Sequence, residues 1–277
     1  MSLLEPISHA LAAILAGAHS ALTSLGADPD TGPTWVACLT LLVVAVRLCL
    51  LPAAVHALRL TRASARARPA VRDLAARYRH RTDPDSVRAH LTERRRLNAE
   101  HGVSRLGCLP LLLQLPVWIA LYQLVSHAAL GVPTGPLDAP LVTSLAAATV
   151  AGVPLAASGY LGAGPGHLAV VAGLAGVAAL LSFVTQRVFV AQNAVPWEPQ
   201  DGTRPELVEA LSTTQQLLPL VSAGGLLLAG GLVPVALLVY WVCSQAWTLA
   251  WSATVWRWWP TPGSPAAARA AGRAAAA

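Results

Sequence analysis

Residues 35–56 read WVACLTLLVVAVRLCLLPAAVH, an apolar run that contains one charged side chain, Arg47. An α-helix needs about 20 predominantly apolar residues to cross the hydrocarbon core of a bilayer, so this run predicts a transmembrane helix. At about 1.5 Å of rise per residue, Arg47 lies roughly 18 Å along that helix from Trp35, inside a core about 30 Å thick. The run therefore predicts a membrane-embedded helix with one costly cation in it.

Four more stretches of the chain are apolar enough to span a bilayer. With the first span placed at 34–58, they predict transmembrane helices at 106–129, 167–190, 213–231 and 235–256. Hydrophobic residues make up 55% of the 277 residues and charged residues 12%, which excludes a disordered chain and an ordinary soluble enzyme. We therefore predict an all-α polytopic membrane protein with five transmembrane helices.

The distribution of arginine sets the predicted orientation. All 19 Lys and Arg residues are arginines, and the segments 1–33 and 130–166 contain none. Cytoplasmic loops carry an excess of basic residues, so these two segments are predicted to be external. The segment 59–105, the loop 191–212 and a disordered tail at 257–277 are predicted to be cytoplasmic. A sixth apolar candidate at 141–162 would break this agreement, and we reject it.

The external segment 1–33 places apolar residues, among them Leu11 and Leu15, at helical spacing. Its only charge before residue 26 is Glu5, so the segment lacks the positive start of a secretory signal. An amphipathic helix lying in the membrane interface is the expected structure.

The segment 59–105 is the most basic part of the chain, with 13 arginines against five acidic residues. The sequence Asp83-Pro84 predicts a break between two helices, and hence a cytoplasmic helical hairpin. Its charge is interpreted in three ways: a solvated face, attraction to anionic lipid headgroups, or attraction to ribosomal RNA.

Arg47 needs compensation, since an arginine at the centre of a span costs about 2.5 to 3.5 kcal/mol on the mild insertion scale. The five predicted spans contain no Asp or Glu. Snorkelling to the interface and a water-filled cavity between helices remain as alternatives. The neutral polar and aromatic residues expected to line such a groove, together with Arg47, are Thr40, Gln114, Ser182, Gln186, Tyr240, Trp241, Gln245 and Thr248.

No pattern of covalent chemistry accompanies the spans. The four cysteines show no C-x-x-C spacing, and no nucleophile–base pair, metal-ligand set or phosphate loop occurs. We predict no enzyme activity, no catalytic residues, no metal and no cofactor.

Several motifs together resemble a known family. They are LTLLVVAVRLCLLP at 39–52, the basic hairpin with Pro69 and Tyr78, HGVSRLGCLPLLLQLP at 101–116, IALY at 119–122 and PVALLVYW at 234–241. The chain is similar over about 34–250 to the YidC-type membrane protein insertases of the Oxa/Alb superfamily, in a short Gram-positive, actinobacterial-like form.

The resemblance implies five helices around a hydrophilic groove that is open to the cytoplasm and to lipid. The groove arginine of the family corresponds to Arg47, and its groove-lining positions correspond to Gln186 and Trp241. The implied function is insertion of hydrophobic segments of nascent proteins into the bilayer of the bacterial plasma (inner) membrane.

Alternative functions are a Sec-associated membrane protein folding or assembly factor, and more remotely a solute channel. The expected partners are nascent membrane proteins, a weakly bound ribosome contacted through the hairpin and the short tail, the Sec translocon and anionic lipids. The protein is expected to be a monomer.

Overall fold

The computed structural model describes residues 5–79, 81, 83–103, 109–161, 164–196 and 205–275. Nearly all of this part of the chain is helical, and its one sheet is the two-stranded antiparallel pair of β1 (Thr149–Val150) and β2 (Val153–Pro154). In chain order the helices are α1 (Glu5–Ser24), α2 (Gly32–Cys49), α3 (Leu51–Tyr78), α4 (Pro84–Glu100), α5 (Leu109–Ala129), α6 (Ala139–Ala147), α7 (Pro165–Val184), α8 (Ala191–Asn193), α9 (Pro205–Gly230), α10 (Val235–Trp258) and α11 (Pro265–Ala275). A π-helix, Thr185–Val190, joins α7 to α8.

The chain forms two compact units. The first comprises Met1–Cys49, Leu113–Phe189 and Pro199–Ala253, and the second comprises Leu50–Leu112, Val190–Glu198 and Thr254–Ala277.

The first unit has a single hydrophobic core built from several of its helices. Fully or almost fully buried side chains from α1, α2, α5, α6 and α10 pack together in it, among them Leu15, Leu39, Leu121, Leu145 and Leu237. Burying a side chain of this size stabilises the fold by roughly 1.5 to 3 kcal/mol. The helix predicted in the segment 1–33 is present as α1, whose buried face packs on this core.

Trp35 fixes three elements of the first unit to one another. Its ring is fully buried and stacks on the imidazole of His19 from α1 at 4.6 Å between centroids. Its Nε1 group donates a hydrogen bond of 3.0 Å to Oγ of Ser144 from α6. A buried indole N–H needs such an acceptor, so α6 satisfies a polar group at the start of α2.

Between Ala139 and Leu161 the one helix is α6, whose nine residues are too few to span a bilayer. The segment that follows α6 bonds to the start of α10 through backbone groups: Val235 N donates to Ala157 O at 2.8 Å, and Ala236 N donates to Leu155 O at 2.9 Å. These bonds satisfy N–H groups in the first turn of α10 that have no partner within the helix.

Three helices of the described residues are long and apolar enough to cross a membrane: Gly32–Cys49, Pro165–Asn193 and Val235–Trp258. The part Gln216–Gly230 of α9 is a shorter apolar helix. Leucines and valines on α9 are exposed, including Leu220 and Leu228, and Trp118 of α5 is half exposed. Exposed apolar surface of this extent suits contact with lipid.

The second unit contains the hairpin of α3 and α4. Asp83 caps α4, because its Oδ2 atom accepts a hydrogen bond of 2.8 Å from the backbone N–H of Ser86. Tyr78 near the end of α3 donates to Oε2 of Glu93 on α4 at 3.1 Å, and Nη1 of Arg77 lies 3.5 Å from Oε1 of the same carboxylate. Leu74 is almost fully buried.

Two of our sequence predictions differ from the structure at helix ends. The first span was predicted to run through 58, but α2 ends at Cys49 and α3 begins at Leu51. Pro52 lies in the first turn of α3, where its missing N–H leaves no bond unmade. Likewise, α9 begins at Pro205, whereas the loop was predicted to extend to 212.

The prediction of a disordered tail at 257–277 was wrong for most of that segment. Pro265–Ala275 forms α11, and Ala266 in its first turn is 1% exposed. The prediction rested on the charge and alanine content of the tail. It could not take account of the contacts that this helix makes with residues distant in sequence.

Candidate functional site

The candidate site is centred on Arg47, which lies in the last turn of α2 and is partly buried. Its Nη2 group donates to Oγ of Ser244 at 2.8 Å and to Oγ1 of Thr248 at 3.3 Å. Both acceptors belong to α10. Hydroxyl oxygens of a second helix therefore solvate the guanidinium.

The spacing of Ser244 and Thr248 lets both hydroxyl groups accept from the same Nη2 group of Arg47. Ser244 and Thr248 are four residues apart, on the same face of α10. The hydroxyl of Thr248 donates to the backbone oxygen of Ser244 at 2.8 Å, so its oxygen lone pairs are left to accept from Arg47.

Neutral acceptors stabilise the cation without cancelling its charge. Salt bridges among the described residues include those of Arg77 with Glu93, Arg88 with Asp85 and Arg96 with Glu100. No salt bridge within that part of the chain involves Arg47. Hydrogen bonds to charged groups contribute about 1.5 to 3 kcal/mol each. Two of them contribute about 3 to 6 kcal/mol together, which is enough to offset the roughly 2.5 to 3.5 kcal/mol that an arginine costs within a span.

Thr40 adds a second polar contact between α2 and α10. Its Oγ1 atom donates to Val36 O at 2.8 Å and lies 3.3 Å from Sγ of Cys243. The structure thus places Arg47 against Thr248, and it places Thr40 at a separate contact between the same two helices, two turns before Arg47.

The aromatic residues of the predicted groove lie one turn earlier on α10. Tyr240 is 8% exposed and belongs to the hydrophobic core, while Trp241 is half-buried and packs against that core. Gln245 is half-buried on the next turn. Tyr240 precedes Ser244 by four residues, so the two side chains lie on the same face of α10.

Ser182 and Gln186 form a separate polar pair at the end of α7. Nε2 of Gln186 donates to Oγ of Ser182 at 3.2 Å. Gln186 lies in the π-helix Thr185–Val190, a helix type that occurs mostly as single turns and often at functional sites. Within the described ranges, no hydrogen bond joins this pair to Arg47. Gln114 of α5 is exposed and has no hydrogen-bond partner in the part of the chain that the structure describes.

Ser244 is the site residue that the predicted groove set lacks. It is the nearest acceptor to Arg47, and it lies four residues before Thr248 and four after Tyr240. An unpaired arginine on one span requires acceptors on another, so the i, i+4 hydroxyl pair on α10 was the signal that could have identified it.

A sequence model of one protein family covers this site. The family described as 60Kd inner membrane protein matches residues 27–260, which include Arg47, Ser244 and Thr248. The chain belongs to the 60Kd inner membrane protein family, the YidC/Oxa family. It is accordingly a multi-pass bacterial membrane protein.

Curated relatives in this family carry the name membrane protein insertase YidC. The protein of Streptomyces avermitilis is 30% identical over 249 residues, which cover 86% of this chain and 55% of that protein. The protein of Tropheryma whipplei is 28% identical over 271 residues, 95% of this chain and 86% of that protein. The protein of Bifidobacterium longum is 24% identical over 274 residues, 96% of this chain and 78% of that protein.

Proposed function

We propose that this YidC/Oxa family member is a membrane protein insertase, which moves hydrophobic segments of nascent proteins from the cytoplasm into the bilayer. The observation that carries the proposal is the half-buried guanidinium of Arg47, bonded to Ser244 and Thr248 and unpaired with any carboxylate of the described residues. The relatives' name, membrane protein insertase, supports it.

A positive polar groove lowers the barrier to insertion in a definite way. The polar segment that flanks an incoming helix must leave water before it reaches the far side, and an unpaired polar group in hydrocarbon costs several kcal/mol. Hydroxyl, amide and guanidinium groups at mid-membrane depth replace part of that water. Burial of the new apolar helix in lipid then supplies the driving force, so no covalent chemistry is needed.

The walls of the groove in this proposal are the polar faces of two helices. Trp241, Gln245 and Thr248 line α10, while Ser182 and Gln186 line the end of α7. Thr40, Gln114 and Tyr240 complete the lining. An incoming helix slides along the mouth where Trp241 offers an apolar ring with one polar atom, a surface suited to both lipid and water.

Orientation and partners follow from the charge distribution. The N-terminus lies outside and the C-terminus lies in the cytoplasm, with five spans and the hairpin of α3 and α4 at the inner surface. The arginines of the hairpin attract anionic lipids and make a weak contact with the ribosome. The protein acts as a monomer, alone or beside the Sec translocon.

Reconstitution without Sec tests the function directly. The purified protein in liposomes is expected to insert a small single-span substrate, measured as a protease-protected fragment, and Arg47→Ala is expected to abolish most of this activity. Arg257→Ala is the matched control, because Arg257 is an exposed arginine at the end of α10. Insertion only when Sec is present would favour the assembly-factor alternative, and equal activity of Arg47→Ala would exclude the groove mechanism.

A further inference from the structure

The C-terminal helix α11 is docked within the second unit by contacts at its beginning and along its length. The backbone N–H of Thr261, which precedes α11, donates to Oδ1 of Asn193 at 2.8 Å. Ser264 then caps the helix, since its Oγ accepts from the N–H of Ala267 at 3.2 Å. Thr261, Ser264 and Ala266 are all buried.

Gln192 of α8 lies at the centre of these contacts. Its Oε1 atom accepts hydrogen bonds from Nε1 of Trp256 at 3.2 Å and from Nη1 of Arg269. Trp256 belongs to the end of α10 and Arg269 belongs to α11. One amide oxygen therefore bonds to both elements at once.

A second arginine of α11 contacts the same tryptophan. The guanidinium carbon of Arg273 lies 5.8 Å from the centroid of the Trp256 ring, within cation–π range. Arg269 and Arg273 are the only charged residues of the sequence after Pro260. Both cations of the tail are thus engaged by residues of its own chain.

We propose that α11 is a latch, which holds the segment Ala191–Pro196 to the end of α10, and that Gln192 is its positioning residue. In the chain, this segment directly follows the π-helix Thr185–Val190. When the latch is closed, the two arginines of the tail are occupied. When it opens, both become free to meet an anionic surface.

The latch is able to open because the contacts that hold it are few and its arginines are exposed. The helix α11 has 11 residues. Isolated helices shorter than about 12 to 15 residues are marginal in water, so a released α11 loses its helical hydrogen bonds. Amide exchange in Pro265–Ala275 therefore reports directly whether the latch is closed.

The test is hydrogen exchange of the full chain in lipid nanodiscs. The wild-type protein is expected to protect the amides of α11. Gln192→Leu and, separately, Arg269→Ala are expected to speed exchange there by about ten-fold, the effect of losing one or two ordinary hydrogen bonds. Arg257→Ala, which removes an exposed arginine outside the latch, is expected to leave α11 unchanged.

A conservative variant separates positioning from packing. Gln192→Glu keeps an acceptor for Trp256 and Arg269 and adds charge, so it is expected to retain protection and to make it sensitive to salt. Unchanged exchange in the α2 peptides shows that each variant is folded. Unprotected α11 in the wild type, or unchanged protection in both Gln192→Leu and Arg269→Ala, would overturn the proposal.

Discussion

Nη2 of Arg47 and Oγ of Ser244 are 2.8 Å apart, although the two residues lie almost 200 positions apart in the chain. This bond connects the last turn of α2 to the middle of α10. It explains how Arg47 is stabilised within an apolar span that contains no carboxylate: hydroxyl groups of another helix accept hydrogen bonds from the guanidinium. Since those groups are neutral, the site keeps its positive charge.

The charge at position 47 is expected to matter more than the shape of the guanidinium. Arg47→Lys should keep most of the insertion activity, because an ammonium group can donate to Ser244 or Thr248. Arg47→Ala should reduce insertion by about ten-fold or more, the equivalent of at least 1.4 kcal/mol, while protein level and topology stay nearly normal. Complementation of a depletion strain measures both. Full complementation by Arg47→Ala would contradict this expectation.

Removing the hydroxyl acceptors should destabilise the protein only when the arginine is present. The double variant Ser244→Ala with Thr248→Val leaves Arg47 without its bonds, each of which contributes about 1.5 to 3 kcal/mol. The melting temperature in detergent is expected to fall, and the fall should largely disappear when Arg47→Leu is added. A melting temperature that falls equally in both backgrounds would mean that packing, and not the charge, explains the loss.

The sequence predicted the helices that form this site more fully than the side-chain contacts between them. Apolar length identified α2, α7 and α10, and the absence of acidic residues identified Arg47 as exceptional. Periodicity along α10 could not show whether Ser244 or Gln245 faces α2, because that depends on how the two helices pack. The helix α11 could not be predicted for the same reason. Its alanines and arginines are typical of a solvated tail, and only the structure shows that Gln192 and Trp256 contact its arginines.

The contact between Gly32 and Thr149 predicts a strong effect of one added methyl group. A Cβ atom at Gly32 would overlap the carbonyl oxygen of Thr149 and lie 2.8 Å from its carbon, and both belong to the backbone of β1. Gly32→Ala is therefore expected to lower the free energy of unfolding by about 3 kcal/mol.

Gly17→Ala on α1 is the matched control, since nothing lies within 4 Å of its Cβ position. Alanine is the better helix former there by about 0.8 to 1 kcal/mol, so its melting temperature should stay equal or rise. Equal melting temperatures of the two variants would show that the start of α2 shifts away from Thr149 at little cost.

The N-cap of α4 should make the hairpin sensitive to acid. Bonds from the backbone N–H and the hydroxyl of Ser86 hold the pKa of Asp83 below its usual value. A depressed pKa means that the stabilisation is complete above the unfolded-state pKa and is lost as the pH falls through the folded one. The Ser86 amide should therefore exchange faster than expected in acid, once the intrinsic rate is corrected for. Asp83→Asn, which keeps an acceptor, should remove this pH dependence, and an unchanged profile would exclude Asp83 as its source.

The proposed groove walls predict where a substrate touches the protein. Photo-crosslinkers at Trp241 on α10 and at Gln186 in the π-helix should capture a ribosome-bound nascent span, because both positions are half-buried beside polar groups. Leu237 is fully buried in the core, so a probe there should capture little.

Ala246 provides the exposed control on the same helix. At about 100° per residue, it points roughly 140° away from Trp241, and it is exposed, so a probe there is accessible without facing the proposed groove. Capture is expected to be several-fold weaker at Ala246 than at Trp241. Equal capture at Trp241, Gln186 and Ala246 would mean that the substrate contacts these positions without preference. The proposed groove walls on α10 and at the end of α7 would then be wrong.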